Sequence, residues 1–320
     1  MKTALVTGGT GFVGANLVRR LLREGHRVHL LARPGYAVWR IRELIPELVL
    51  HEAPLDDRRR LTDTVKEIKP DWIFHLAAHG AYSWQNDSGA IISANLAGTV
   101  NLLEACLETG FEAFVNTGSS SEYGFKDHAP AETECPEPNG CYAVTKAAAT
   151  NFCRYISRAR NVHAPTLRLY SVYGPYEDPR RLIPALVVNG LAGRLPPLVS
   201  PATARDYVYA EDVCDAYLLA AARTDLPRGS IYNVGTGIQT TMREAVETAR
   251  GVLRLAAEPG WGTMPARTWD TEVWVADSSL IRRELGWAPR FSFVDGFRKT
   301  ADWFSAHPEL LEHYRGKEQG

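Results

Sequence analysis

Residues 7–14 read TGGTGFVG, four glycines in eight positions, between the apolar run KTALVT (2–7) and ANLVRRLLREG (15–25). The first run predicts a short strand, and the second has apolar residues at helical spacing and stops at Gly25. HRVHLLA (26–32) then reads as a second strand, so the whole is a βαβ unit turned through glycines. The turn satisfies GxxGxxG through Gly8, Gly11 and Gly14, and GxGxxG through Gly9, Gly11 and Gly14. Such spacing serves a tight turn, close approach of backbone to a pyrophosphate, and contact between helix and strand without intervening side chains. The phosphate sits at the positive end of the helix. The stretch is therefore read as a dinucleotide cradle made by Gly8, Gly11, Phe12, Val13 and Gly14, the plainer alternative being an ordinary glycine turn.

The alternation continues outward. DWIFHLA (71–77) is strand-like, 94–110 helical, 111–116 strand-like and 141–158 helical, and HAPTLRLYSVYGP (163–175) looks like a strand running into a loop. Repeated βαβ units predict an α/β, doubly wound parallel sheet of Rossmann type that binds its ligand at the carboxyl ends of the strands. Beyond about residue 175 the pattern changes. Stretches rich in Pro and Gly, such as NGLAGRLPPLVSP (189–201) and EPGWGTMPARTWD (258–270), predict a smaller C-terminal substrate lobe. The expected division is a dinucleotide-binding domain over 1–175 and a lobe over 176–320 that returns some segments to the first domain.

Composition narrows the partners. The chain has 320 residues, 45% of them hydrophobic, and a formal net charge of −1. That is ample for a core and gives no basic field for nucleic acid or a membrane surface. MKTALVTGG lacks the pattern of a secretory signal, and no segment reads as about 20 apolar residues. Five cysteines form no ligand-spaced pair or cluster, so no structural metal is expected and the reading is a reduced, cytoplasmic protein.

The end of the second strand distinguishes one dinucleotide from another. An acid there holds the adenine ribose hydroxyls of NAD, whereas an arginine suits a 2′-phosphate. Here the strand ends with Ala32 and Arg33 follows, which favours NADP(H) and leaves NAD open. Arg33 as one solvated charge beside Arg40 and Arg42 is the plainer alternative.

Tyr142 and Lys146 stand four apart in CYAVTK, so both emerge on one helix face. A cation beside a phenol favours the phenolate, as a general acid–base needs. With TGGTGFVG, HLAA (75–78), NLAGTVNLLEA (95–105), SSSEYG (119–124), LRLYSVYGP (167–175), RDYVYAEDV (205–213), YNVGTG (232–237) and ELGWAPR (284–290) in this order, the chain resembles the extended short-chain dehydrogenase/reductases over about residues 3–305. These are the nucleotide-sugar epimerases, dehydratases and reductases.

That resemblance implies roles for particular residues. Tyr142 corresponds to the acid–base. Lys146 corresponds to the residue that lowers its pKa and holds the nicotinamide ribose. Ser119, four residues before Tyr123, corresponds to the hydroxyl that touches the reacting sugar oxygen. Ser120 and Ser121 fall where the family's 4,6-dehydratases carry an acid–base pair. A hydroxyl cannot do that work near neutral pH, and Glu122 is one position out of register, so 4,6-dehydration is disfavoured and a plain turn serves as well. Leu76, Ala77 and Ala78 match the strand end that lies along the cofactor, and Leu55 the aliphatic that flanks the adenine, although Pro54 stands before it where the family often has an acid. Asn95 matches the NxxGT asparagine that supports active-site water or backbone, or is an ordinary helix asparagine. Arg205 matches the arginine that pairs with a substrate diphosphate, or is a solvated side chain next to Asp206. His79, Tyr82 and Trp84 would line the sugar pocket or pack a loop. Ser171 replaces the family's usual asparagine. LPPLVSPATARDYVY (195–209) and GWGTMPARTWD (260–270) would wall the nucleotide.

The resulting expectation is hydride exchange at C4 of a nucleotide-linked hexose, with reduction of a 4-keto sugar preferred and 4-epimerisation with tightly held NAD as the alternative. A dinucleotide-binding sensor is the reading outside enzymology. Pairing into a homodimer through the helices near 94–109 and 142–158 is implied by resemblance.

Overall fold

The computed structural model describes residues 1–82, 84–265 and 271–317. Strand β1 (Thr3–Thr7), helix α1 (Phe12–Arg23) and strand β2 (Arg27–Ala32) form the expected βαβ unit. The chain continues through β3 (Val49–Glu52), α2 (Arg58–Ile68), β4 (Trp72–His75), α3 (Ser88–Ile92), a π-helical stretch (Ser93–Ala97), α4 (Gly98–Thr109), β5 (Ala113–Ser119), α5 (Cys141–Ala159) and β6 (Thr166–Leu169). There follow β7 (Ser171–Tyr173), α6 (Leu182–Gly190), β8 (Ala204–Arg205), β9 (Tyr207–Tyr209), α7 (Ala210–Ala222), β10 (Ile231–Val234), β11 (Thr240–Thr241), α8 (Met242–Leu253), α9 (Ser279–Leu285), α10 (Phe293–Ala306) and α11 (Pro308–Lys317).

Seven parallel strands form one sheet in the order β10-β6-β5-β4-β1-β2-β3. The winding direction reverses between β1 and β4, and ligands of such sheets bind outside the carboxyl ends of the strands at that point. Alternate side chains supply the two faces, as a strand's period of two requires. Ala4 and Val6 pack with Leu17, Leu21, Val213 and Tyr217 of α1 and α7, while Leu5 joins Leu61, Val65, Leu102 and Cys153 of α2, α4 and α5. The doubly wound expectation is met. A third apolar cluster gathers Leu186 of α6, Val246 of α8, Phe297 and Phe304 of α10 and Tyr314 of α11 around Tyr173 and Tyr209.

Four sequence expectations need correction. The strand running into a loop expected over 163–175 is two strands, because the Tyr170 N–H pairs with Val234 of the large sheet while the Ser171 N–H pairs with Asp206. The chain changes sheets between adjacent residues. Strand β3 and helix α2 went unpredicted: β3 is a short, mostly half-exposed edge strand, and α2 carries only Leu61, Val65 and Ile68 as its buried stripe. Strand β5 runs on to Ser119, past the expected end at 116. Finally, the helical run Ser88–Thr109 is 22 residues long and apolar enough to cross a membrane by length and composition. Its Leu102, Leu103, Ala105 and Cys106 are buried in the core under the sheet.

Candidate active site

The glycine turn is filled by its own backbone. A Cβ on Gly14 would stand 2.2 Å from the Gly8 carbonyl oxygen, and one on Gly8 would stand 2.6 Å from the Ala77 nitrogen. Gly8 also has φ +69°, which disfavours any L side chain. Gly11 caps α1 without a side-chain hydrogen bond, so the first amide groups of the helix, including those of Phe12 and Val13, face outward without a side-chain acceptor. A close backbone cradle at a helix N-terminus fits a dinucleotide pyrophosphate. Ala32 ends β2, and Arg33 is exposed with no hydrogen bond or ion pair to the described residues. Leu55 packs on Gly98 at the start of α4, its carbonyl accepting from Asn101. Leu76, Ala77 and Ala78 follow β4 directly, Leu76 and Ala77 lying against Gly8.

A buried polar chain braces this edge. The Ala77 N–H donates to the Thr7 hydroxyl, which lies 2.7 Å from His75 Nδ1, and His75 Nε2 lies 2.8 Å from the Thr99 hydroxyl. Thr99 donates to the Asn95 carbonyl, and this sequence of partners assigns a neutral imidazole with its proton on Nε2. Asn95 sits in the π-helical stretch and is 1% exposed. Its Oδ1 accepts the His79 N–H, and its Nδ2 donates to the His79 carbonyl and to Thr145 of α5. All of its capacity shown here goes to backbone and helix, so Asn95 holds the loop after β4 in place. Sequence spacing pointed to Asn95 but not to the His75 relay, although HLAA contained it.

The His75 relay has a consequence for stability. Burial first, then Lys146, pushes the His75 imidazole down to about 3. Between the ordinary value near 6.5 and about 3 the unfolded chain binds a proton that the native one refuses, so stability is lost as pH falls through that window, at no more than about 1.4 kcal/mol per pH unit. Urea unfolding at pH 7.5, 6 and 5 should show a steeper acid loss in the native protein than in His75→Asn. Equal slopes would contradict it.

The central feature is the end of β5 facing α5. Ser119 caps the 3-10 turn Ser120–Tyr123, its Oγ accepting from the Ser121 N–H and donating to Ser121 Oγ at 3.1 Å. Ser120 is buried and Ser121 half-buried in this turn. Tyr142 and Lys146 lie one turn apart on α5, Tyr142 half-buried and Lys146 2% exposed. Burial pushes the Tyr142 phenol above its ordinary value; the neighbouring Ser119 hydroxyl and the charge of Arg181 draw it down, while Glu122 and Tyr82 push it up. Burial pushes Lys146 itself down, and Glu122 supports its charge.

Glu122 is fully buried and paired with Arg168 of β6. Arg181 was not singled out by the sequence. It donates to the Ala81 carbonyl and lies over the Tyr82 ring, which stacks on Trp84 at 4.6 Å. Arg180 covers Trp84 in the same way. Tyr82 and Trp84 thus form a clasp with the 180–181 loop, and Tyr82 and Arg181 both act on the Tyr142 phenol; His79 contributes its backbone to Asn95. Ser171 pairs in register with Tyr207, adjoining Arg205 and Asp206. Arg205 lies over Trp274 and donates to the Ala204 carbonyl. The neighbouring Asp206 carboxylate accepts the N–H groups of Thr236, Gly237 and Ala276. Of the expected nucleotide walls, residues 266–270 lie outside the described residues. Among the described residues, no group of three or more His, Cys, Asp or Glu side chains could hold a metal.

The model of the NAD-dependent epimerase/dehydratase family matches residues 4–235. A UDP-glucose 4-epimerase of Mycolicibacterium smegmatis is 31% identical, with 94% of this chain and 97% of that one covered. A dTDP-glucose 4,6-dehydratase of Neisseria meningitidis is 29% identical, with 95% and 93% covered. Among solved structures, the UDP-glucose 4-epimerase of Thermus thermophilus in complex with NAD is 30% identical with a TM-score of 0.82, covering 95% of this chain and 99% of its own.

Proposed function

This chain belongs to the NAD-dependent epimerase/dehydratase family, and from that membership we propose that it exchanges hydride at C4 of a nucleotide-linked hexose without removing water. The observation that carries the reading is the serine turn. Ser120 and Ser121 offer hydroxyls where elimination needs an acid and a base, and the one carboxylate of the turn, Glu122, is spent on Arg168 beneath it. What remains beside the phenol suits proton exchange at one oxygen.

Gly8, Gly11, Phe12, Val13, Gly14, Leu55 and Leu76 to Ala78 would hold a nicotinamide dinucleotide, which would supply the hydride chemistry. Tyr142 takes or returns the proton of the sugar oxygen, and Ser119 orients that oxygen. Lys146, whose ammonium has no hydrogen-bond partner among the described residues, offers donors to the cofactor ribose. Tyr82, His79, Ser171 and Arg205 surround the sugar and diphosphate. The exposed Ile92, Val144 and Tyr155 on α3 and α5 support pairing with a second copy of the chain.

Epimerisation is the reading favoured by the epimerase relatives and by the NAD in the Thermus neighbour. Reduction of a 4-keto sugar with NADPH is the second reading, favoured by the free guanidinium of Arg33. Arg33→Ala should weaken NADPH tenfold or more relative to NADH, and equal losses would remove the 2′-phosphate argument. The deciding experiment is the cofactor released from purified protein, together with turnover of a panel of sugar nucleotides. Bound NAD with interconversion of 4-epimers is expected. NADPH oxidation that requires a 4-keto sugar would establish the second reading, and a 4-keto-6-deoxy product would overturn both.

A further inference from the structure

The acid in the serine turn has no part in the chemistry above, yet it touches three elements of the site. Glu122 Oε1 accepts the Ser119 N–H at 2.9 Å and the hydroxyl of Thr150, two turns along α5 from Tyr142, at 2.9 Å. Its Oε2 accepts Arg168 Nε at 2.8 Å, and Arg168 donates onward to the Tyr123 hydroxyl at 2.7 Å. Gly118 makes the room, since a Cβ there would stand 2.7 Å from Oε1. Replacing a buried ion pair by apolar side chains is often neutral for stability, so stability alone does not account for this one. The placement of Ser119 does.

We propose that Glu122 is a positioning residue for this site, clamping the Ser119 backbone to the helix that carries Tyr142 and Lys146 so that serine hydroxyl and phenol address one substrate oxygen. The inference rests on the roles given above to Ser119 and Tyr142. The carboxylate also acts through its charge, favouring the ammonium of Lys146 and the neutral form of Tyr142. Arg168 faces Glu122 from β6, His75 and Cys153 face Lys146 from β4 and α5, and Arg181 and Tyr82 face Tyr142 from the loops.

The test compares the full-length protein with Glu122→Gln, Thr150→Val and Thr150→Ser. Glu122→Gln should lower kcat about tenfold or more with KM within twofold. It should also move the phenol titration of Tyr142, followed by ultraviolet difference absorbance and assigned with Tyr142→Phe, to lower pH. Thr150→Val should lose several-fold in kcat and Thr150→Ser should restore it. A Glu122→Gln protein with kcat within twofold, or an unmoved phenol titration, overturns the proposal. If Glu122→Gln does not fold, the Thr150 pair decides, and equal activity of Val and Ser overturns it. If no sugar nucleotide is turned over, the reading of function fails by itself, while the phenol titration still decides the role of Glu122.

Discussion

Tyr142→Phe should lower turnover of the sugar nucleotide by about 10²–10⁴-fold, the range that general acid–base catalysis contributes. The substitution removes one oxygen from a half-buried ring on α5 and keeps the aromatic body, so the fold and the glycine cradle stay intact. That loss corresponds to about 3–5 kcal/mol of transition-state stabilisation. Cofactor affinity should change by no more than a few-fold, because Gly8, Gly11 and Gly14 lie on another element. The comparison uses kcat with the preferred substrate and cofactor affinity by fluorescence quenching. A phenylalanine variant that keeps a tenth or more of native turnover would remove Tyr142 from the chemistry. If biological activity survived intact with cofactor still bound, the sensor reading would stand in place of the enzyme.

Gly8→Ala should be strongly damaging to both stability and cofactor binding. Its Cβ would lie 2.6 Å from both the Ala77 nitrogen and the Leu76 carbonyl carbon, backbone atoms at the end of β4 that cannot rotate away. The residue also has φ +69°. The left-handed conformation costs about 1–2 kcal/mol and the overlap adds a similar amount, for about 2–4 kcal/mol in all. Any relaxation separates β1 from the strand end along which we propose the dinucleotide lies, so cofactor affinity should fall at least tenfold. Gly25→Ala is the control. Gly25 has φ +76° but nothing within 4 Å of an added Cβ, so it should cost only the conformational part, about 1 kcal/mol. Chemical unfolding and cofactor titration of both variants check this, and equal losses at the two glycines would show that close approach at Gly8 is not the constraint.

Much of the cofactor half could be read locally. The helix after TGGTGFVG, the i, i+4 pair Tyr142 and Lys146, and the offset of Ser119 from Tyr123 each depend on a few consecutive residues. The missed elements were weak in pattern: α2 presents only Leu61, Val65 and Ile68 among charges. Its cap by Asp57 was a readable signal. The split between β6 and β7 had none, because Tyr170 and Ser171 differ only in which distant strand they bond.

Sequence by itself determined the parallel βαβ frame, the glycine cradle, the family, and the placing of Tyr142 and Lys146 on one helix face, because strand, helix and tight turn are each set by local spacing and sterics. Tertiary structure alone decided what surrounds that pair. It sent the Glu122 carboxylate beneath the site to meet Thr150 and Arg168, 28 and 46 residues away. It brought Arg181 back over a loop 100 residues earlier. It also set Ser119, Glu122, Arg181 and Tyr82 around the Tyr142 phenol. Those contacts follow from how sheet, helices and loops pack, and a buried charge takes whichever partner that packing delivers.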